Sequence, residues 1–159
     1  MRLLLLGGTG EARELAARLH PRVDVVSSLA GRVPGPARPL GTVRIGGFGG
    51  VPGLRQWLAD NDIDAVVDAT HPFAATITAN AARACADLGM PHLVLHRPAW
   101  EPGGALTADS DTDAAETVAE QGFSRVFLTT GRSGVRAFRD SDAWFLIRVV
   151  TAPDAADLP

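Results

Sequence analysis

An apolar run at residues 3–6 ends abruptly in Gly7-Gly8-Thr9-Gly10, and the chain then places Ala12, Leu15, Ala16 and Leu19 at helical spacing. Few folds accept that succession. Four consecutive leucines suit a strand buried on both faces, as in a parallel sheet covered by helices. The glycines permit a tight turn and a close backbone approach. The helix that follows aims its unpaired N-terminal N–H groups back at that turn. Strand, glycine turn and helix in that order predict the start of a βαβ unit.

The alternation continues along the chain. His20-Pro21 ends the first helix, and residues 23–26 read as a second strand. Residues 27–40 read as a loop punctuated by Pro34, Pro36 and Pro39. Residues 43–45 form a short strand entering Gly46-Gly47-Phe48-Gly49-Gly50. Leu54, Trp57 and Leu58 mark a helix closing near Asn61, and residues 65–67 a buried strand. Pro72 suits the first turn of a helix that runs to Leu88, with Gly89 as its C-terminal cap. Residues 92–95 are the next strand. The expectation is an α/β fold: a Rossmann-like doubly wound parallel sheet over residues 1–100. After Arg97-Pro98-Ala99-Trp100 the pattern changes. A linker (101–104), a helix (112–121), a strand (125–129), a turn (130–134) and a strand (144–150) read as the start of a second, smaller Rossmann-like lobe over residues 101–159. Its few elements bury little core by themselves, so the lobe reads as incomplete.

Composition narrows the functional classes. The net charge of −3 argues against a nucleic-acid partner. All basic residues are Arg, which excludes a Schiff-base lysine within these residues. Cys85 is the only cysteine and sits in an apolar run, so an inert buried thiol is expected. The first apolar run breaks too early for a signal peptide, and no stretch is long enough to span a bilayer. A cytoplasmic protein without a membrane partner, monomeric or weakly oligomeric, is the expectation.

Four places carry candidate chemistry. Gly7, Gly8, Thr9, Gly10 and Glu11 form a turn suited to a pyrophosphate, although the offsets depart from G-x-G-x-x-G/A; the alternative is a purely structural turn. About 20 residues on, where an acid would hold the ribose of NAD, the chain instead carries Ser27, Ser28 and then Arg32. Hydroxyls and a guanidinium suit a 2′-phosphate, hence NADPH, against the alternative of a solvated loop arginine. Gly46, Gly47 and Phe48 either turn sharply or wrap a ligand, with Phe48 short of local packing partners and able to lie against a flat group. Thr70 and His71 stand at the carboxyl end of a strand, where open α/β sheets bind ligands. Thr70 is also an ordinary helix cap; His71 is a poorer cap and a candidate donor to substrate or nicotinamide. Thr130, Gly131, Arg132 and Ser133 repeat the strand-to-glycine-turn pattern and suit a carboxylate, or are a loop with a solvated arginine. His92 and His96 would be about 13 Å apart on a strand, so no metal site is read there.

Taken together, several motifs resemble the precorrin-6A reductase family of cobalamin biosynthesis. They are Leu4-Leu5-Leu6-Gly7-Gly8-Thr9 with Glu11-Ala12-Arg13, and Ser27-Ser28-Leu29-Ala30-Gly31-Arg32. Arg44-Ile45-Gly46-Gly47-Phe48-Gly49-Gly50 and Asp68-Ala69-Thr70-His71-Pro72-Phe73-Ala74 follow. Arg97-Pro98 with Trp100, and Thr129-Thr130-Gly131-Arg132, complete the set. The resemblance implies an NADPH-dependent oxidoreductase acting on a CH–CH group, which would turn precorrin-6A into precorrin-6B between two Rossmann-like lobes. It implies NADPH on the first turn, Ser28, Arg32 and the Gly-Gly-Phe segment. Thr70 and His71 would lie near the nicotinamide, and Arg132 with its turn would meet the tetrapyrrole carboxylates. Family members also continue well beyond this length. The competing expectation is a non-catalytic NADP-binding sensor or scaffold, which explains the glycine turn but not the His-Pro turn.

Overall fold

Alternating leucines of the first strand face opposite ways, and the two faces acquire different helices. The computed structural model describes residues 1–31, 35, 37–96, 98 and 101–159; Arg32, Arg97 and Trp100 lie outside them. The chain forms two compact units, Met1–Pro98 and Ala99–Pro159.

The first unit runs β1 (Arg2–Leu6), α1 (Gly10–Leu19), β2 (Asp24–Leu29), β3 (Thr42–Ile45), α2 (Gly50–Asp60), β4 (Ala65–Asp68), α3 (Ala75–Leu88) and β5 (His92–Val94). The five strands make one sheet in the order β3-β2-β1-β4-β5, every pair parallel. This is a doubly wound arrangement, and its strand order reverses between β1 and β4. On one face Leu4, Leu6, Val26 and Val66 pack against Leu54 and Leu58 of α2 and Ala81, Ala84 and Cys85 of α3. On the other, Leu3, Leu5 and Val25 pack against Ala12 and Ala16 of α1. The leucine run is thus two interleaved half-cores sharing one backbone. Cys85 is buried, and desolvation pushes its thiol pKa up, which suppresses the reactive thiolate.

Several boundaries differ from the sequence expectation. β2 continues through Ser27 and Ser28 to Leu29, because pairing with both β1 and β3 extends it past the point where local polarity suggests a loop. β4 is buried at Val66 and Asp68, while Ala65 and Val67 are only partly covered. Pro72 is not in the first turn of α3. Residues 71–74 form a separate turn, closed by Ala74 N–H donating to the His71 carbonyl at 2.8 Å, and α3 starts at Ala75. Gly89 does cap α3, in the left-handed conformation at φ 61°.

The second unit holds α4 (Asp111–Glu120), β6 (Arg125–Leu128), a 3₁₀ turn (Val135–Phe138) and β7 (Trp144–Ile147). Ser110 caps α4 by accepting the Asp113 N–H at 3.1 Å. β6 and β7 pair in parallel. Leu128, Val135 and Phe138 form the core, with Phe145 packed edge-on to Phe138 at 5.6 Å. Phe127, Trp144 and Leu146 stay exposed on the opposite sheet face. The strand expected at residues 144–150 ends at Ile147, and the 3₁₀ turn had no periodic signal to announce it.

Candidate functional site

After the carboxyl ends of β1 and β4 the chain leaves for opposite faces of the sheet, and a cleft of about 680 Å³ opens there. That volume falls in the range of small-molecule and cofactor sites. Glycines 7, 8 and 10 with Thr9 and Glu11 line one wall. Ser28 and the loop 46–50 line the second, and Thr70 and His71 the third. Most of the residues singled out in the first unit therefore share one cavity.

The first wall is a cradle that only small residues can make. Gly8 holds φ at 114°, a conformation L side chains rarely adopt. A Cβ at Gly7 would press Ala12 of α1 at 3.3 Å, so the turn sits hard against its helix. The Thr9 hydroxyl both accepts and donates within the fold. It caps α1 by accepting the Ala12 N–H at 3.1 Å, and donates its hydroxyl to the Ala69 carbonyl beyond β4 at 2.7 Å. Thr9 thereby ties two walls together. Thr9→Val should cost about 1–2 kcal/mol through the lost cap and tie. Urea unfolding with an unchanged m-value checks this; a midpoint equal to the parent's would remove the tie from the account.

The second wall is organised by Arg44, at the end of β3. Its guanidinium donates to Ser28 Oγ at 2.9 Å and to the carbonyls of Gly46 and Gly47 at 2.9 and 3.0 Å. It also lies 3.8 Å from the Phe48 ring centroid. Phe48 meets Trp57 edge-on at 5.4 Å. Phe48, short of packing partners within its own glycine loop, finds them elsewhere. Its partners come from a strand end and a helix, and one of its faces is already occupied by a cation. Partial burial draws the Arg44 pKa downward, but a guanidinium starts so high that it stays charged. The spacing singled out no role for Arg44. The signal available was its place at a strand end directly before a glycine loop.

Ser27 and Ser28 separate. Neighbouring strand residues face opposite ways, so Ser28 reaches the cleft while Ser27, only 1% exposed, faces α1 beside Ala12 and Arg13. Pairing Ser27 with Ser28 as one ligand-binding set is corrected by that alternation. Arg32 lies outside the described residues.

The third wall rests on Asp68, whose buried carboxylate accepts from Thr70 N–H (2.9 Å), Thr70 Oγ1 (2.6 Å) and Thr78 Oγ1 (2.6 Å). Thr70 is held by β4 and does not cap α3, whose N-cap position is Ala74. Thr76, Ile77 and Asn80 on α3 also line the cleft, as no pattern in the sequence indicated. The N-caps of α2 and α3, Gly49 and Ala74, make no side-chain capping bond. Both sit on the cleft with the start of α1. Three helix N-termini face one space, and their dipoles favour an anion there.

In the second unit, Thr130, Arg132 and Ser133 are exposed at the carboxyl end of β6, with Gly131 at φ 84°. Among the described residues no group of three His, Cys, Asp or Glu side chains could hold a metal ion, and no helix is long and apolar enough to cross a membrane.

A parallel sheet with helices on both faces and a cleft at its switch point define a Rossmann-like α/β protein. The family is shown by comparison: residues 2–159 match the model described as "Precorrin-6x reductase CbiJ/CobK", and the chain belongs to that family. It is 71% identical over 158 residues to a precorrin-6A reductase of Mycobacterium tuberculosis (strain ATCC 25618 / H37Rv), covering 99% of this chain and 65% of that protein. It is 55% identical to the precorrin-6A reductase of Rhodococcus erythropolis, covering 99% of this chain and 66% of that one. The solved structure titled "CobK precorrin-6A reductase" superposes with a TM-score of 0.89 at 38% identity, covering all of this chain and 65% of that one. The chain thus spans about two-thirds of the length of the relatives it matches.

Proposed function

We propose that the protein takes part in the NADPH-dependent reduction of a macrocycle double bond of precorrin-6A, giving precorrin-6B. The observation that carries this reading is the convergence in one cleft of the glycine turn after β1, the glycine loop after β3 and the Thr70-His71 pair after β4. The cradle fits a dinucleotide. Gly7 lets the turn sit against α1, Gly8 leaves open space where a Cβ would stand, the cleft volume suffices, and three helix N-termini offset phosphate charge. The relatives' names supply the reductase activity and the tetrapyrrole substrate.

In this reading Gly7, Gly8, Gly10 and the start of α1 hold the pyrophosphate. Ser28 and the 46–48 segment, braced by Arg44, hold the adenosine side with Arg32 on the 2′-phosphate. Thr70 and His71 face the nicotinamide. Bound NADPH supplies the hydride; the protein's task is orientation and exclusion of water. Residues 130–133 and the Arg132 guanidinium receive the carboxylates of the macrocycle.

Parallel calorimetric titrations with NADPH and NADH test the cofactor. NADPH should bind at least roughly tenfold more tightly, and Arg32→Ala should abolish the difference, since a charge-assisted phosphate contact is worth about 1.5–3 kcal/mol. Equal affinity for both dinucleotides in the parent would overturn the NADPH assignment. Loss of nicotinamide absorbance on adding precorrin-6A tests the reaction. Arg132→Ala should slow that loss and leave NADPH affinity intact; binding without any turnover would favour a sensor or scaffold.

A further inference from the structure

Asp68 commits protons. Its buried carboxylate accepts both the N–H and the hydroxyl of Thr70 on Oδ1, and the Thr78 hydroxyl on Oδ2. A carboxylate has no proton to return, and a threonine hydroxyl has only one to give. Thr70 lines the cleft, and its Oγ1 therefore has lone pairs and no donor to offer there.

The next residue has the opposite polarity. The Phe73 N–H donates to His71 Nδ1 at 3.3 Å, and the Phe73 ring lies 4.9 Å from the imidazole. A neutral imidazole that accepts at Nδ1 carries its proton on Nε2. Thr70 and His71, consecutive in sequence and both lining the cleft, thus present an acceptor and a donor side by side.

We propose that this pair reads the carboxamide of the nicotinamide. Thr70 Oγ1 accepts from the amide NH₂, His71 Nε2–H donates to the amide carbonyl, and Asp68 is the positioning residue that sets the polarity. The inference rests on the dinucleotide reading above. A dinucleotide whose pyrophosphate sits on the turn after β1 straddles the reversal between β1 and β4, so its nicotinamide half falls on the β4 side. A carboxylate of the macrocycle is the poorer fit. It brings no donor for Thr70 and sets a negative oxygen against the Thr70 lone pairs.

The test uses NADP⁺ and its 3-acetylpyridine analogue, in which a methyl replaces the NH₂ and the carbonyl is kept. Calorimetric titration of the protein should show NADP⁺ binding about fivefold more tightly, the worth of one ordinary hydrogen bond. Thr70→Val should bring the two ligands within about twofold by weakening NADP⁺ alone, and Thr70→Ser should restore the preference. Unchanged analogue binding in Thr70→Val reports that the cleft is intact, which a merely structural role for Thr70 would not give. A parent without preference, a preference that survives Thr70→Val, or equal losses for both ligands overturns the inference while the dinucleotide reading stands. A parent that binds neither ligand overturns both. Imidazole ¹⁵N spectra of the parent supply a measurement independent of any variant. The Nε2–H tautomer of His71 supports the pairing, and the Nδ1–H tautomer overturns it.

Discussion

Asp68→Ala should destabilise the first unit by about 3 kcal/mol, because it strips the partner from three donors at once. Thr70 N–H, Thr70 O–H and Thr78 O–H all end on this one carboxylate, which is 1% exposed. Alanine leaves a cavity in which none of the three finds an equivalent acceptor. Asp68→Asn should cost roughly 1 kcal/mol. Its amide oxygen still accepts from Thr70, and its NH₂ can donate to the Thr78 hydroxyl. Urea midpoints at constant m-value decide the matter. If alanine were no worse than asparagine, the three contacts would be incidental. Asp68 joins β4 to α3 through Thr78, so its loss also frees the turn that carries His71.

Gly53→Ala should destabilise by about 2 kcal/mol and weaken dinucleotide binding by roughly tenfold or more. The sign is the test. Glycine inside a helix costs about 1 kcal/mol relative to alanine, so helix propensity alone predicts a gain. Gly53 lies in the first turns of α2, where a Cβ would overlap the Phe48 carbonyl oxygen and meet its carbon at 2.9 Å. Backbone cannot yield there without moving Phe48 and Gly49, and Gly49 is the left-handed residue that starts the helix. The loop 46–50 forms one wall of the cleft, so the displacement reaches the ligand. Gly10→Ala is the stability control: its nearest neighbour is the flexible end of Arg13 at 3.8 Å, and its φ is not positive. A thermal midpoint for Gly53→Ala at or above the parent's would show that the loop does not press on α2.

Both predictions concern residues that the sequence left without a role. Asp68 reads locally as the polar end of an apolar strand. Its importance comes from Thr78, ten residues on, which a helical turn brings back to the same carboxylate. Gly53 looks like a weak point in an amphipathic helix until the Phe48 carbonyl is seen against it. Arg44 is one of many arginines by composition, and only the β2–β3 register sets its guanidinium beside Ser28 and the glycine carbonyls. Contacts of this kind depend on register and crossover, and no local window holds that information.

What the chain determines by itself is the layering. Four leucines ending in glycines, and the apolar periods that follow, predict strands, helices and their order, because burial on both faces and helical spacing are local properties. The glycine turns and the Thr-His pair were likewise legible, since backbone freedom and side-chain chemistry travel with the residue. Only the tertiary structure decided which of these residues meet. The strand order puts β1 beside β4, so the turn after Leu6 and the turn after Asp68 share one cleft. Strand alternation sends Ser28 into that cleft and Ser27 away from it. Hydrogen bonds then assign the protons: Thr9 to Ala69, far along the chain, and Thr70 to Asp68, two residues back. The physical reason is that a hydroxyl has no fixed polarity until a partner takes its proton, and the fold around it decides where that partner stands.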